Sequence, residues 1–327
     1  MNSRLQRLSG SPLAVIAGLA AALLAVNVVL TPGLFSSGQL ANTANLLVPT
    51  ALAAMASVPS VMSGRGGIDL SIGPILGFVN VVFVGVLVAR GFDSGWVVLP
   101  VCLLLGAALG ALNGAIVAFV RLQPVVVTLG SYLVLGGAAY VVMPQPGGSV
   151  PGWCSYLSGA WLGGYFPRSL LLILAAAALW AAARRLGVAG LILAVGSEDR
   201  AAHTAGVRIG LVRVAAYAMG GCIAALGGVA LSVLISSGDP GVGRQYTLAA
   251  IAAVALGGNP LAGGRGSMVG PFLGAASLFL IQTLLSATHV SSLWIQVVYG
   301  LVLLAAVSFN ATLSSRLAAR PFPAGTS

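Results

Sequence analysis

Charge is spread so unevenly along this chain that its placement dictates the fold class. From Pro12 to Phe309 apolar stretches follow one another, and charged side chains are nearly confined to the gaps between them. Charged residues make up 6% of the 327 and hydrophobic ones 58%. Soluble domains carry about 25% charge, and so few charges cannot cover a water-facing surface. The chain is therefore expected to be an all-α polytopic membrane protein. A helix crosses the hydrocarbon core in about 20 residues. On that basis about ten transmembrane helices are expected, at 12–30, 46–63, 68–89, 96–120, 123–143, 167–186, 211–235, 246–264, 267–287 and 293–311. A secretory signal peptide is the competing reading of 12–30, but that run is long for one and many spans follow it. The expected organisation is a tail at 1–11, a transmembrane domain at 12–311 with an inner loop at 187–210, and a second tail at 312–327.

The basic residues test this layout. All 15 are arginine, and the net charge is +10. With an even number of spans and the N-terminus inside, Arg4, Arg7, Arg65, Arg121, Arg184, Arg185, Arg200, Arg208, Arg213, Arg265, Arg316 and Arg320 fall on the inner side. Only Arg90, Arg168 and Arg244 fall outside. Cytoplasmic loops of membrane proteins carry such an excess. Trp96, Trp153, Tyr156, Trp161, Tyr165, Tyr246 and Trp294 then cluster at the outer ends, as an interfacial belt does. The arginines form no single basic face, so no nucleic-acid partner is expected.

Composition excludes several chemistries. Without a lysine the chain cannot build the G-x-x-x-x-G-K-[ST] phosphate loop of an ATPase, nor hold a Schiff-base cofactor. His203, His289, Cys102, Cys154 and Cys222 lack metal-ligand spacing. No nucleophile is paired with a base, so no catalytic residue is assigned. Glycines recur at four-residue intervals, as at Gly106, Gly110 and Gly114 or at Gly270 and Gly274, a spacing that lets helix backbones approach closely.

Three segments carry more specific information. The first runs Gly66-Gly67-Ile68-Asp69-Leu70-Ser71-Ile72-Gly73-Pro74. Asp69 and Ser71 can cap the following helix. An acid at the edge of an apolar span is also a candidate for a permeation path or gate. The second is the inner loop around Ser197-Glu198-Asp199-Arg200-Ala201-Ala202-His203-Thr204-Ala205-Gly206. Ser197 is the expected N-cap of a short helix that Gly206 ends. Such a helix can dock a soluble partner or lie idle at the interface. The third, Leu248 to Ser267, is a small-residue helix running into a Gly/Asn/Pro turn. Gly73-Pro74-Ile75-Leu76-Gly77 is faintly echoed by Gly270-Pro271-Phe272-Leu273-Gly274. Neutral hydrogen-bonding groups in or beside spans, Asn80, Asn113, Thr128, Gln282 and Gln296, can line a path for an uncharged solute or join helices.

Taken in order, these motifs resemble the permease subunits of bacterial ATP-binding-cassette (ABC) importers for monosaccharides. The similarity runs from about Leu30 to Phe309. Gly66 to Gly73 is its most specific element. Gly110-Ala111-Leu112-Asn113-Gly114, Val127-Thr128-Leu129-Gly130, Ala201-Ala202 with Gly206, Ala250-Ile251-Ala252-Ala253 and Gly263-Gly264-Arg265-Gly266-Ser267 follow. The resemblance implies the ABC importer permease fold in a bacterial inner membrane, with both termini cytoplasmic. It implies three partners: a twin-cassette ATPase that carries the ATP and Mg, a periplasmic sugar-binding protein, and a second permease subunit. Glu198, Asp199, Ala201, Ala202 and Gly206 would belong to the helix that couples to the ATPase. Gly66, Gly67, Asp69, Ser71, Asn80, Asn113 and Thr128 would belong to the path or gate. Where the family has an acidic residue before A-I-A-A, this chain has Tyr246-Thr247-Leu248-Ala249, which fits a permease working beside a non-identical one. The alternative is a proton- or ion-coupled secondary transporter with Asp69 as its ion site.

Overall fold

The computed structural model describes residues 12–36, 38–161, 164–288, 291, 294, 295, 297–305 and 308. Both expected tails, His289 and Gln296 lie outside them. Helices α1 (Pro12–Leu30) and α2 (Leu40–Met62) are followed by α3 (Ile72–Val82), which a π turn and a 3-10 turn prolong to Arg90. Next come α4 (Gly95–Ala115), prolonged by a π turn to Val120, α5 (Pro124–Val142) and the short α6 (Gly152–Ser158). A two-residue hairpin, β1 (Ala160–Trp161) with β2 (Phe166–Pro167), leads into α7 (Leu170–Arg185). The rest is α8 (Val188–Ser197), α9 (Asp199–Thr204), α10 (Ile209–Ile235), α11 (Gln245–Leu256) and α12 (Val269–Ala287), with helical backbone again over 297–305.

Seven helices among the described residues are long and apolar enough to cross a bilayer. Helices α7 and α8 make a further pair bent by 78°, where Gly187 takes a left-handed φ of 77° that favours glycine. With α11 and the helical backbone of 297–305, this accounts for each apolar stretch expected from the sequence. Three boundaries move. The expected span at 246–264 is helical only to Leu256, because Gly257, Gly258, Pro260, Gly263 and Gly264 follow. The expected inner loop at 187–210 contains α8, whose Ala189, Ile192 and Val195 are buried under the bundle end. The expected span at 46–63 begins earlier: α2 starts at Leu40, and its Asn45 turns inward to donate to the Ser158 carbonyl at 2.7 Å.

Helix α10 is the centre, packed against α4, α2 and α3. It sits there because four glycines, Gly220, Gly221, Gly227 and Gly228, let neighbours reach its backbone. A β-carbon at Gly221 would overlap the Gly106 carbonyl, and one at Gly110 the Tyr217 carbonyl. At Gly228 it would lie 2.5 Å from the Leu76 carbonyl, and at Gly220 2.7 Å from that of Ala56. The Gly106/Gly110/Gly114 spacing is thus the seam between α4 and α10. The echoed motifs have a shared cause too. Gly73 and Gly77 of α3 pack on Gly243 and Thr247 at one end of α11, while Gly270 and Gly274 of α12 pack on Gly257 and Ala253 at the other. The two Gly-Pro-x-x-Gly segments pack against the two ends of α11.

Connections assigned to one side of the membrane gather at one end of the bundle. At the outer-assigned end the Trp153 indole donates to the Asp93 carbonyl at 2.8 Å, and Gly147 bridges Gly238. At the other end Arg65, Asp199, Arg213 and Gly264 converge. Overpacking a tight seam costs about 1–3 kcal/mol. Gly221→Leu should therefore lower the melting temperature of the purified chain in detergent or abolish its folded peak on size exclusion. Gly130→Ala, with open space at its β-carbon, should match the wild type. Equal melting of the two variants would contradict the seam.

Candidate functional site

The inner-loop helix α9 is capped one residue later than its sequence suggests. Ser197 ends α8, where its hydroxyl donates to the Leu193 and Gly264 carbonyls. Glu198 is the N-cap, and its carboxylate accepts from the Arg200 amide at 3.3 Å. Gly206, with a φ of 83°, closes the turn as expected. Glu198 and Ala201 are exposed, and Ala202 is buried beneath.

Asp199 faces its own protein. Its carboxylate takes 2.7 Å hydrogen bonds from Arg213 Nη2 and lies 2.6 Å from Arg65 Nε. The Arg213 side chain is 7% exposed and that of Asp199 18%, while Arg65 is 65% exposed. One carboxylate therefore ties α9 to the base of α10 and to the α2–α3 connection. In the sequence, Arg65 and Arg213 are legible only as markers of the inner side. The available signal for Arg213 was its place inside the apolar run of α10, where a charge needs a partner.

Three backbones meet beside this ion pair. Gly196, at the end of α8, would overlap the Met62 carbonyl if it bore a β-carbon. Gly263 is equally tight against Gly64, and the Gly264 amide donates to the Met62 carbonyl at 3.2 Å. Asn259 holds the third strand of this knot through Ser267: its amide donates to the Ser267 carbonyl, and its oxygen accepts from the Ser267 amide.

From the knot the chain enters Gly66 to Ser71. Gly66 has a φ of 64°, and Gly67 lies so close to Ser60 that a β-carbon would overlap its carbonyl. Asp69 and Ser71 do not cap α3 in the expected way. Asp69 Oδ1 accepts from the Ser71 amide at 2.9 Å and from the Ser71 hydroxyl at 2.5 Å. Asn113 of α4 then donates to the Ser71 hydroxyl at 2.8 Å, and Ser131 of α5 donates to the Asn113 oxygen. The Thr128 hydroxyl of α5 donates to the Pro124 carbonyl of its own helix at 2.9 Å and reaches the Ile68 carbonyl at 3.3 Å, and Thr247 of α11 donates to the Leu70 carbonyl at 3.3 Å. Three helices thus hold one segment by neutral groups. Asp69 Oδ2 is buried and without a partner among the described residues, an acceptor left free in the middle of the line. Ser131 was not singled out from the sequence; its three-residue spacing from Thr128, one helix face, was the signal.

Asn80 does not join this group. Its amide donates to Ser232 and to the Ser237 carbonyl, and its oxygen accepts from the Asp239 amide. All of this bonding pins the turn after α10, the role of a helix fastener. Gln282 likewise accepts from the Tyr299 hydroxyl at 2.9 Å.

An apolar bundle with an internal polar line, and a short exposed helix tied to that line at its basic end, is the architecture of a multi-pass membrane permease. Residues 39–307 match the family described as the branched-chain amino acid transport system permease component, and the chain belongs to that family. It is 32% identical over 296 residues to the ribose import permease protein RbsC of Escherichia coli K12, covering 87% of this chain and 89% of the relative. RbsC of Bacillus subtilis strain 168 is 32% identical over 250 residues, 74% of this chain and 76% of the relative. The autoinducer 2 import system permease protein LsrC of Escherichia coli O9:H4 is 33% identical over 259 residues, 76% and 73% of the two chains. No solved structure matches.

Removing one partner of a buried ion pair costs about 3–5 kcal/mol, and the partial exposure here reduces that to about 1–3. Asp199→Asn should destabilise the purified chain by that amount in thermal unfolding. Adding Arg213→Gln should recover part of the loss, since the orphaned charge is then gone. Additive losses in the double-mutant cycle would mean that the pair does not couple.

Proposed function

We propose that this permease is the membrane subunit of an ABC importer that carries a monosaccharide or a similar polyhydroxylated solute. A periplasmic binding protein delivers the solute on the outer side, and a separate twin-cassette ATPase, holding the ATP and Mg, docks on α9. The chain sits in a bacterial inner membrane with both termini cytoplasmic, an orientation supported by the excess of arginine at one end. A second permease subunit completes the path. The observation that carries this reading is the kinship to permeases named for ribose and autoinducer 2 import. The neutral line through Ser71, Asn113 and Ser131 supports an uncharged, hydroxyl-bearing cargo, because hydroxyls both donate and accept.

Helix α9 is built to pass on a push. Glu198 is exposed at its tip, while Asp199 anchors it to Arg65, six residues before Ser71. Closing of the ATPase would move α9, and the glycine knot leaves little slack between α9 and the Gly66–Ser71 segment. Ala201 and Ala202 keep the helix narrow, and Gly206 ends it.

The test is to tag the chain, extract it gently from its native membrane and identify what co-purifies. A twin-cassette ATPase is expected. Its absence, repeated after mild crosslinking, would shift the reading to an ion-coupled transporter centred on Asp69. Within the complex, Glu198→Arg should reduce uptake at least about tenfold, since like charge across an interface costs several kcal/mol. Membrane levels should stay normal. Wild-type uptake by this variant would remove α9 from the docking surface.

A further inference from the structure

A cavity of about 720 Å³ opens at the basic end of the bundle. Arg65, Arg121, Arg208 and Arg213 line it with His203 and a single carboxylate, Asp199. That carboxylate is already held by Arg65 and Arg213. Arg121 and Arg208 have neither an ion pair nor a side-chain hydrogen bond among the described residues. Four guanidinium groups facing one spent carboxylate repel one another, and the arrangement calls for an anion.

The rest of the wall says which kind. Phe119 and Leu211 also line the cavity and are 63% and 52% exposed. Phe119 belongs to the π turn that ends the α4 span, where Val120 beside it is also exposed. Arg121 follows at once, with a left-handed φ of 64° that turns the chain out of the helix. Arg208 immediately precedes α10 and its Leu211. Basic groups thus sit directly on the ends of exposed apolar surface. A soluble anion needs no such wall, whereas basic pockets between spans on the cytoplasmic side suit lipid headgroups. Guanidinium groups also match phosphate oxygens in pairs.

We propose that this cavity binds the phosphate of an anionic phospholipid headgroup, with Arg121 and Arg208 as its ligands and the acyl chains along Phe119 and Leu211. The site shares a wall with α9 but requires neither the ATPase nor a particular cargo. It can be tested on the full-length purified chain without a transport measurement.

The chain in neutral detergent is given equal amounts of phosphatidylglycerol and phosphatidylcholine, and retained lipid is read by native mass spectrometry. Wild type should retain phosphatidylglycerol selectively. At about 1 kcal/mol per arginine, R121Q/R208Q should cut that retention by about tenfold or more, with R208Q alone intermediate. Both side chains are exposed, so melting should be unchanged. R184Q/R185Q, at the end of α7 and outside the cavity, should retain lipid as wild type does. Equal retention of the two lipids, unchanged retention in R121Q/R208Q, or the same loss in R184Q/R185Q would overturn the proposal. Displacement of the lipid by inorganic phosphate alone would overturn it in favour of a free-anion site. Loss of a co-purifying ATPase from R121Q/R208Q with lipid retention intact would overturn it in favour of an acidic protein partner.

Discussion

Backbone-to-backbone contact at glycine is the constraint on which the rest of this structure depends. Apolar helices gain little by leaving lipid for one another, so association in a bilayer needs close packing and hydrogen bonds. Here the closest packing is carbonyl against glycine. Helix α10 receives α4, α3 and α2 in this way, and α11 is gripped between α3 and α12. The same device at Gly64, Gly196, Gly263 and Gly264 fastens three connections at the basic end. An interface with no side chain between two backbones has almost nothing to compress. Motion imposed on one partner is passed to the other or breaks the contact.

That stiffness gives the few charges their importance. Asp199 spends both oxygens on arginines from two other elements, and Glu198 caps the helix it begins. Asp239 accepts from the Gly241 amide within a turn that Asn80 secures. These three acids are used to fix connections. Asp69 differs: one oxygen is occupied by Ser71, and the other is buried without a partner. A buried unsatisfied acceptor costs about 1–3 kcal/mol or more, which rigid surroundings can sustain.

Much of the fold was legible in the sequence because bilayer thickness sets helix length. The apolar runs gave the helices to within a few residues, and the arginine excess separated the connections that the structure gathers at opposite ends. Residues 187–197 are as apolar as the spans beside them, so hydropathy could not say that α8 lies at a steep angle. At 257–264 the Gly/Asn/Pro turn was legible, but not the residue at which the helix yields to it. The decision belongs to glycine backbone angles and to tertiary contacts with Met62 and Gly64. At the site, the motif Gly66 to Ser71 was visible; Asn113 and Thr128 were grouped with it only as neutral residues in spans, and so was Asn80, which fastens a different turn. The pairing of Asp199 with Arg65 and Arg213 was not, because it joins positions on three elements whose order in space the sequence does not state.

The absence of lysine and the direction of the ion pair bear on the same question, where the energy for movement enters. In the importer proposed above, that energy enters from the ATPase through a surface, and the surface must be coupled to the interior by something that can occupy two positions. The Gly66–Ser71 segment meets that need better than any span. It is irregular and is held on several sides by single hydrogen bonds from neutral groups, each worth about 1 kcal/mol. Bonds of that size can be exchanged for others as the segment shifts, whereas a set of buried ion pairs could not be broken without a large desolvation cost. The ion pairs among the described residues therefore lie where contacts have to endure, at the grip on α9. Neutral groups lie where contacts have to be exchanged, at the segment α9 would move.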